Sequence, residues 1–291
     1  MRISIYEDAE KYLADWFGAE DSLTLSSGYL AGQLVCQSLL EEGCKLFHLP
    51  NTHPALHVES RESKISNIQD LTTILNSRMQ KSESSVLLLD SIDFHGNHYP
   101  DYDILHSFPL EKLILVVDDS HGFGVVGKDG KGSFEALSNL GAKELIVCGS
   151  LNKAFGLQVG AILATKKRIT QIRHTPQFTG ASPASPANIA TFLEAKNLYR
   201  ERLDSLRQNI ELFKSLIEVD PFFEYNSGHP AFSLKNPKLA DHLETENILI
   251  TRFQYPTQAT SPLTRLIINA THRQEDIEKL SEAIHSFPQT G

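Results

Sequence analysis

The sequence predicts an α/β fold with a mostly parallel sheet in a large domain, followed by a small C-terminal α+β domain. Apolar runs of strand length recur between residues 45 and 165, and stretches of helical spacing intervene between them, the pattern of a parallel sheet. After Gly228 the pattern changes to short strands (HPAFSL, ILITRF, RLIIN) interleaved with helices. The expected boundary places the large domain over 1–195 and the small one over 196–291.

In chain order, Ile5, Ala9, Leu13, Trp16 and Phe17 recur at helical spacing and open the chain in an amphipathic helix. LTLSSG reads as a strand and turn, followed by a helix to about Leu40. KLFHLP and VLLLDS read as strands, and LILVVDD is an almost unbroken apolar run, as in a strand covered on both faces. LIVCGS and VGAILAT add two more, spaced closely enough to be an antiparallel exception. Helices are expected over 68–79 and 102–110. TPQFTGASPASPAN reads as an ordered loop before a long helix in which Leu203, Leu206, Ile210, Phe213 and Ile217 share one face.

The 291 residues are 41% hydrophobic and 22% charged, an ordinary globular balance, and the net charge of -9 argues against a general nucleic-acid binder. Three cysteines are too few for a disulfide framework or a zinc site, so a reduced, cytoplasmic setting is expected. The first residues are acidic where a leader would need a basic start, and no apolar run reaches membrane-spanning length.

The segment LILVVDDSHGFGVVGKDGKGS, residues 113–133, carries the densest chemistry. Gly122, Gly124 and Gly127 satisfy the spacing of a dinucleotide-binding turn, but that motif must run straight from strand into helix, and KDGKG is loop chemistry. Asp118 and His121 stand at the end of the apolar strand, where ligands of open α/β sheets gather. A buried acid there needs a donor or cationic partner, structural or functional; a protonated pyridine nitrogen is one such partner. Downstream, Lys153 is the one charge between Cys148 and Thr165. An amine held between apolar strands can have a lowered pKa, as an imine-forming lysine requires, although isolated lysines also cap loops. Asp90, Asp93, His95 and His98 could invite a metal, but a strand sends side chains to alternating faces and they read as solvated loop residues, so no metal is expected.

DDSHGFGVVGKDGKG followed by GSLNKAFG resembles the α-oxoamine synthases, fold-type I pyridoxal-phosphate (PLP) enzymes that include 8-amino-7-oxononanoate synthase and 2-amino-3-ketobutyrate CoA ligase. The resemblance covers nearly the whole chain. It implies PLP as cofactor, a homodimer, and condensation of an amino acid with an acyl-CoA. Within SSGYLAGQ it implies that Ser27, Gly28 and Tyr29 hold the phosphate at a helix N-terminus, where the alternative is an ordinary cap by Ser26 or Ser27. It makes His53 the histidine stacked on the pyridine ring, Asp118 the ring-nitrogen partner and His121 the histidine near the phenolic oxygen. Lys153 becomes the Schiff-base lysine and Ser150 a phosphate-binding hydroxyl. Thr179 and Gly180 would reach the phosphate in the partner subunit, and Arg265 would hold the substrate carboxylate.

Three departures qualify the resemblance. The chain begins at the family's first large-domain helix, without the arm that contributes to the acyl-CoA side. DSIDFHGNH, residues 90–98, lacks the family's Glu and Ser, and Gly32 stands where an asparagine is expected. Two other functions therefore stay open: an aminotransferase or other α-carbon conversion on the same cradle, and a non-catalytic dimer of this fold.

Overall fold

A computed structural model describes residues 3–58, 68–79, 84–92, 101–219, 221–254 and 262–288. They form two compact units, Met1–Lys196 and Asn197–Gly291.

The first unit opens with helix α1 (Ser4–Phe17), which buries Ala9, Leu13 and Phe17 and ends at Gly18 in the left-handed conformation, φ 82°. Strand β1 (Asp21–Leu25), helix α2 (Gly28–Glu41), strand β2 (Lys45–His48), helix α3 (Ile68–Met79), strand β3 (Ser85–Asp90) and strand β4 (Leu113–Asp118) follow. Then come α4 (Phe134–Ser138), β5 (Glu144–Ser150), α5 (Asn152–Phe155), β6 (Gly160–Ala164), α6 (Lys166–Arg173), α7 (Pro176–Gly180) and α8 (Pro186–Glu194).

The six strands lie in the order β1-β6-β5-β4-β3-β2. Strands β2 to β5 are parallel, while β6 runs antiparallel to both β5 and β1. LIVCGS and VGAILAT are thus the antiparallel pair that their close spacing suggested. Helix α2 covers one face: Ala31, Val35 and Leu39 pack with Val116, Ile146, Cys148 and Ile162 of the strands. Two buried charges fasten helices to the sheet. Glu10 of α1 accepts from Thr24 N–H at 2.9 Å and from Arg173 of α6 at 3.1 Å, and Arg168 bridges Glu144 and Glu42.

Two expectations need correction. Residues 102–110 form no α-helix but two 3-10 turns, Asp103–Ser107 and Leu110–Lys112. Pro109 separates them, because proline disfavours helical backbone at the preceding residue and brings no N–H of its own. The stretch TPQFTGASPASPAN is also less of a loop than its composition suggests. Pro176 and Pro186 each open a helix at its first position, where their missing N–H has no intrahelical partner to lose.

In the second unit, helix α9 (Lys196–Leu216), which starts one residue before the unit boundary, is followed by β7 (Phe223–Tyr225), β8 (Ala231–Leu234), α10 (Pro237–Thr245), β9 (Thr251–Gln254), β10 (Pro262–Ile267) and α11 (Gln274–His285). The sheet is antiparallel, in the order β7-β8-β10-β9, and β7 was not among the expected strands. Phe213, Phe223 and Phe232 meet edge-to-face in its core. Among the described residues, no helix is long and apolar enough to cross a membrane.

Candidate active site

The parallel register aligns Asp90 at the end of β3 with Asp118 at the end of β4, and Asp118 with Cys148 of β5. Asp118 is 6% exposed and shares the α2 side of the sheet with Ile114 and Val116. Its Oδ1 accepts from Ser120 N–H at 2.9 Å, and its Oδ2 lies 3.9 Å from His53 Nδ1.

His53 reaches that carboxylate because the turn carrying it is tied down on several sides. Its Nδ1 accepts from Ala55 N–H at 3.0 Å, capping the 3-10 turn Pro54–Leu56, and its own N–H donates to Asp90 Oδ1 at 3.1 Å. Gln33 of α2 donates to the carbonyls of Ala55 and His57 at 3.0 and 2.7 Å. Burial lowers the imidazole's pKa; the Asp118 carboxylate opposes this, and Lys153 and His57 add to it. With Nδ1 already accepting, the ring is neutral. Gly32 finds its reason here. A Cβ on it would lie 2.7 Å from the Ala55 carbonyl oxygen, so bare backbone lets the turn rest directly on α2.

His121 and Lys153 meet from two different loops, with Nε2 and Nζ 2.8 Å apart. Lys153 lies in the four-residue helix α5 and is exposed. Lys153 lies between strands β5 and β6 as expected, but its side chain is exposed and its neighbour is a histidine.

At the same edge of the sheet, beyond the end of β1, Ser27 caps α2 by accepting from Leu30 N–H at 3.2 Å. The amides of a helix's first turn have no intrahelical acceptor. Those of Gly28 and Tyr29 start α2 against Ser150, so closely that a Cβ on Gly28 would lie 2.5 Å from Ser150 N. A Cβ on Gly160 would lie 2.0 Å from the Ser27 carbonyl oxygen. Ser150 N–H donates to Ser120 Oγ at 2.8 Å, which joins the start of α2 to the turn after Asp118. Its own Oγ accepts from Asn152 N–H at 3.1 Å.

Other expected residues stand elsewhere. Thr179 donates to the Thr175 carbonyl at 3.1 Å within α7, and Gly180 ends that helix. Arg265 lies on β10 of the second unit, opposite Ser233 and Thr251. Asp93, His95 and His98 lie outside the described residues. The glycines at 122, 124 and 127 belong to a loop closed by a Phe123–Lys131 bridge, with only a 3-10 turn at Lys128–Gly130 before the next α-helix starts at Phe134. That geometry removes the dinucleotide reading. Cys36 is a buried free thiol whose pKa is pushed up to about 12 by burial and by Asp118.

Sequence reasoning missed Asp119. It is fully buried; its carboxylate accepts from Ser91 Oγ and from Ser133 N–H, the latter at 2.8 Å. Burial raises its pKa to about 7, against the pull of those two donors and with a further push from Asp118. The only signal available was its place beside Asp118 in a DD pair.

Comparison with known proteins sets this geometry in a family. The profile of the aminotransferase class I and II family matches residues 100–284. The chain belongs to the class I and II aminotransferase family. This family member is 28% identical to the 8-amino-7-oxononanoate synthase of Pectobacterium atrosepticum, over 96% of this chain and 77% of the relative. Among solved structures, it is similar to a serine palmitoyltransferase from S. paucimobilis, with a TM-score of 0.80 at 18% identity, over 98% of this chain and 76% of that one. It is likewise similar to 8-amino-7-oxononanoate synthase from Francisella tularensis, with a TM-score of 0.70 at 22% identity, over 98% and 88%. The mostly parallel sheet with one reversed strand is therefore the fold-type I architecture.

The raised pKa of Asp119 gives a signed expectation. Between about pH 4 and pH 7 the folded state keeps a proton that the unfolded state has released, so this group's contribution to stability falls as pH rises through that window. Asp119→Asn should remove that fall. Relative to the wild type, the variant should gain stability from pH 5 to pH 8 in urea denaturation; a constant difference would show that the carboxyl is not held as the acid.

Proposed function

We propose that this protein binds pyridoxal phosphate in its first unit and condenses an amino acid with an acyl-CoA. The observation that carries the reading is the convergence at one set of strand ends of a Lys153–His121 pair, a buried Asp118 beside a neutral His53, and the glycine-opened start of α2. The residues present fit the cofactor. Gly28 and Gly160 let the start of α2 pack directly on the ends of β5 and β6, which sets the first-turn amides of α2 beside Ser150 as a phosphate site needs, and the buried Asp118 suits a cationic ring nitrogen. When bound, the cofactor supplies an electron sink for negative charge at the amino acid α-carbon.

This chain's own groups do the rest. Asp118 holds a proton on the ring nitrogen, and Ser120 N–H keeps that carboxylate in place. His53 contributes an uncharged aromatic face beside it. The amides of Gly28 and Tyr29, with the hydroxyls of Ser27 and Ser150, bind the phosphate. Lys153 would hold the cofactor through its amine, and the same amine is the base for the α-proton. His121, 2.8 Å away, holds that amine and can exchange a proton with it. Arg265 supplies a bidentate guanidinium for a carboxylate. Thr179 and Gly180 serve the phosphate of the second subunit in a homodimer, which the loaded protein's sedimentation should show. Acyl transfer is favoured over aminotransfer by the relatives' names, since they are synthases and palmitoyltransferases. The buried free cysteines suit a cytoplasmic setting.

Incubation with pyridoxal phosphate, borohydride reduction and peptide mapping should place the label on Lys153; label on another lysine sinks the reading. Asp118→Asn should still take the label but lose α-proton exchange with solvent deuterium by roughly a hundredfold, the scale of a lost preorganised charge. With acetyl-CoA and glycine, alanine or serine, free CoA should be released. Keto-acid formation without CoA would favour the aminotransferase alternative instead.

A further inference from the structure

We infer that Asp119 is a positioning residue that sets His121 against Lys153. The roles of that pair rest on the reading above; the contact itself does not. Asp119 closes the loop 119–133 on itself. At the loop's start its carbonyl accepts from Gly122 and Phe123 N–H, both at 2.9 Å, forming the turn from which His121 projects. At the loop's far end its Oδ2 accepts from Ser133 N–H at 2.8 Å. Its Oδ1 accepts from Ser91, one residue beyond β3, and its own N–H donates to the Cys148 carbonyl at 2.8 Å. One residue thus forms the His121 turn and holds it to β5 by its backbone, while its side chain ties that turn to Ser91 beyond β3 and to the loop's return.

The fit around the carboxylate is close. A Cβ on Gly122 would lie 2.0 Å from Oδ1, and one on Gly132 would lie 2.3 Å from Oδ2. Both glycines leave room for the acid. The next residue, Phe123, is fully buried against Phe17, with ring centroids 4.6 Å apart. His121 therefore sits between an anchored aspartate and an anchored phenylalanine, with little freedom to turn away. Burying a carboxyl with no cation against it among the described residues is costly, and the donors aimed at it recover that cost in this loop conformation. A burial-raised pKa agrees with a group used for its hydrogen bonds rather than for its charge.

The test is competitive acetylation of the full chain, freed of any bound cofactor, with acetic anhydride and peptide mapping of Lys153. Needing no cofactor, it can fail while Lys153 still takes pyridoxal phosphate, and the reverse. His121→Ala should change the Lys153 rate, relative to the other lysines, by about three- to tenfold, the worth of one hydrogen bond. Asp119→Ala should reproduce that change in size and direction, and the double variant should add nothing further. Asp119→Asn should stay within about twofold of the wild type, since its amide oxygen can accept from Ser133 N–H while its amide N–H donates to Ser91 Oγ. Leu13→Ala, a core control on α1, should lower the unfolding temperature without moving the Lys153 rate. If Asp119→Ala fails to fold, Ser91→Ala takes its place and should give a smaller change in the same direction. An unchanged Lys153 rate in a folded but destabilised Asp119→Ala, additive effects in the double variant, or Asp119→Asn behaving as Ala would each overturn the inference.

Discussion

Two adjacent carboxyls, Asp118 and Asp119, are buried at the end of β4, and the first unit is arranged around satisfying both. A polar group removed from water must find partners inside the protein or forfeit several kcal/mol, on the order of 2–7 for a neutral group and more for a charge. Asp119 finds its donors in Ser91 and Ser133, turning a long glycine-rich connection into a closed loop. Asp118 has one backbone donor, Ser120 N–H, with His53 3.9 Å away. Asp119 is bound by the structure around it, and Asp118 is the carboxyl that the proposed function assigns to a ligand.

The same constraint explains the turn at residues 52–57. His53 stands 3.9 Å from Asp118 because its turn is held through its backbone and its own capping nitrogen. Asp90, Gln33 and the capping bond to Ala55 N–H do this. Gly32 allows the close approach. The residue that looks like a loss beside the family pattern is, in this chain, part of the support for the histidine. Asp90 likewise opens the divergent stretch 90–98 and still performs a definite task.

Much of this was legible in the sequence. The strands announced themselves as apolar runs, and the reversed pair as two runs with too short a link for a crossover helix. Lys153 and Asp118 stood out as charges in apolar surroundings. The errors were local and physical. The helical spacing over 102–110 was real, but Pro109 breaks it; Lys153 sits among apolar residues in sequence yet is exposed in space. Asp119 was passed over because a DD pair does not say which carboxyl faces which way.

By itself the sequence determined a mostly parallel α/β sheet, because periodicity is written in local residue order, and its motif-bearing segments carried the resemblance to fold-type I enzymes. Only the tertiary structure decided which segments meet. His53 reaches Asp118, Gly28 abuts Ser150 and His121 touches Lys153 because strand order and parallel register bring distant loops to one edge of the sheet. Side chains alternate across a strand, so neighbours 118 and 119 are sent to opposite faces. Which face receives α2 and which receives the glycine loop is set by packing over the whole sheet, and no local pattern encodes it.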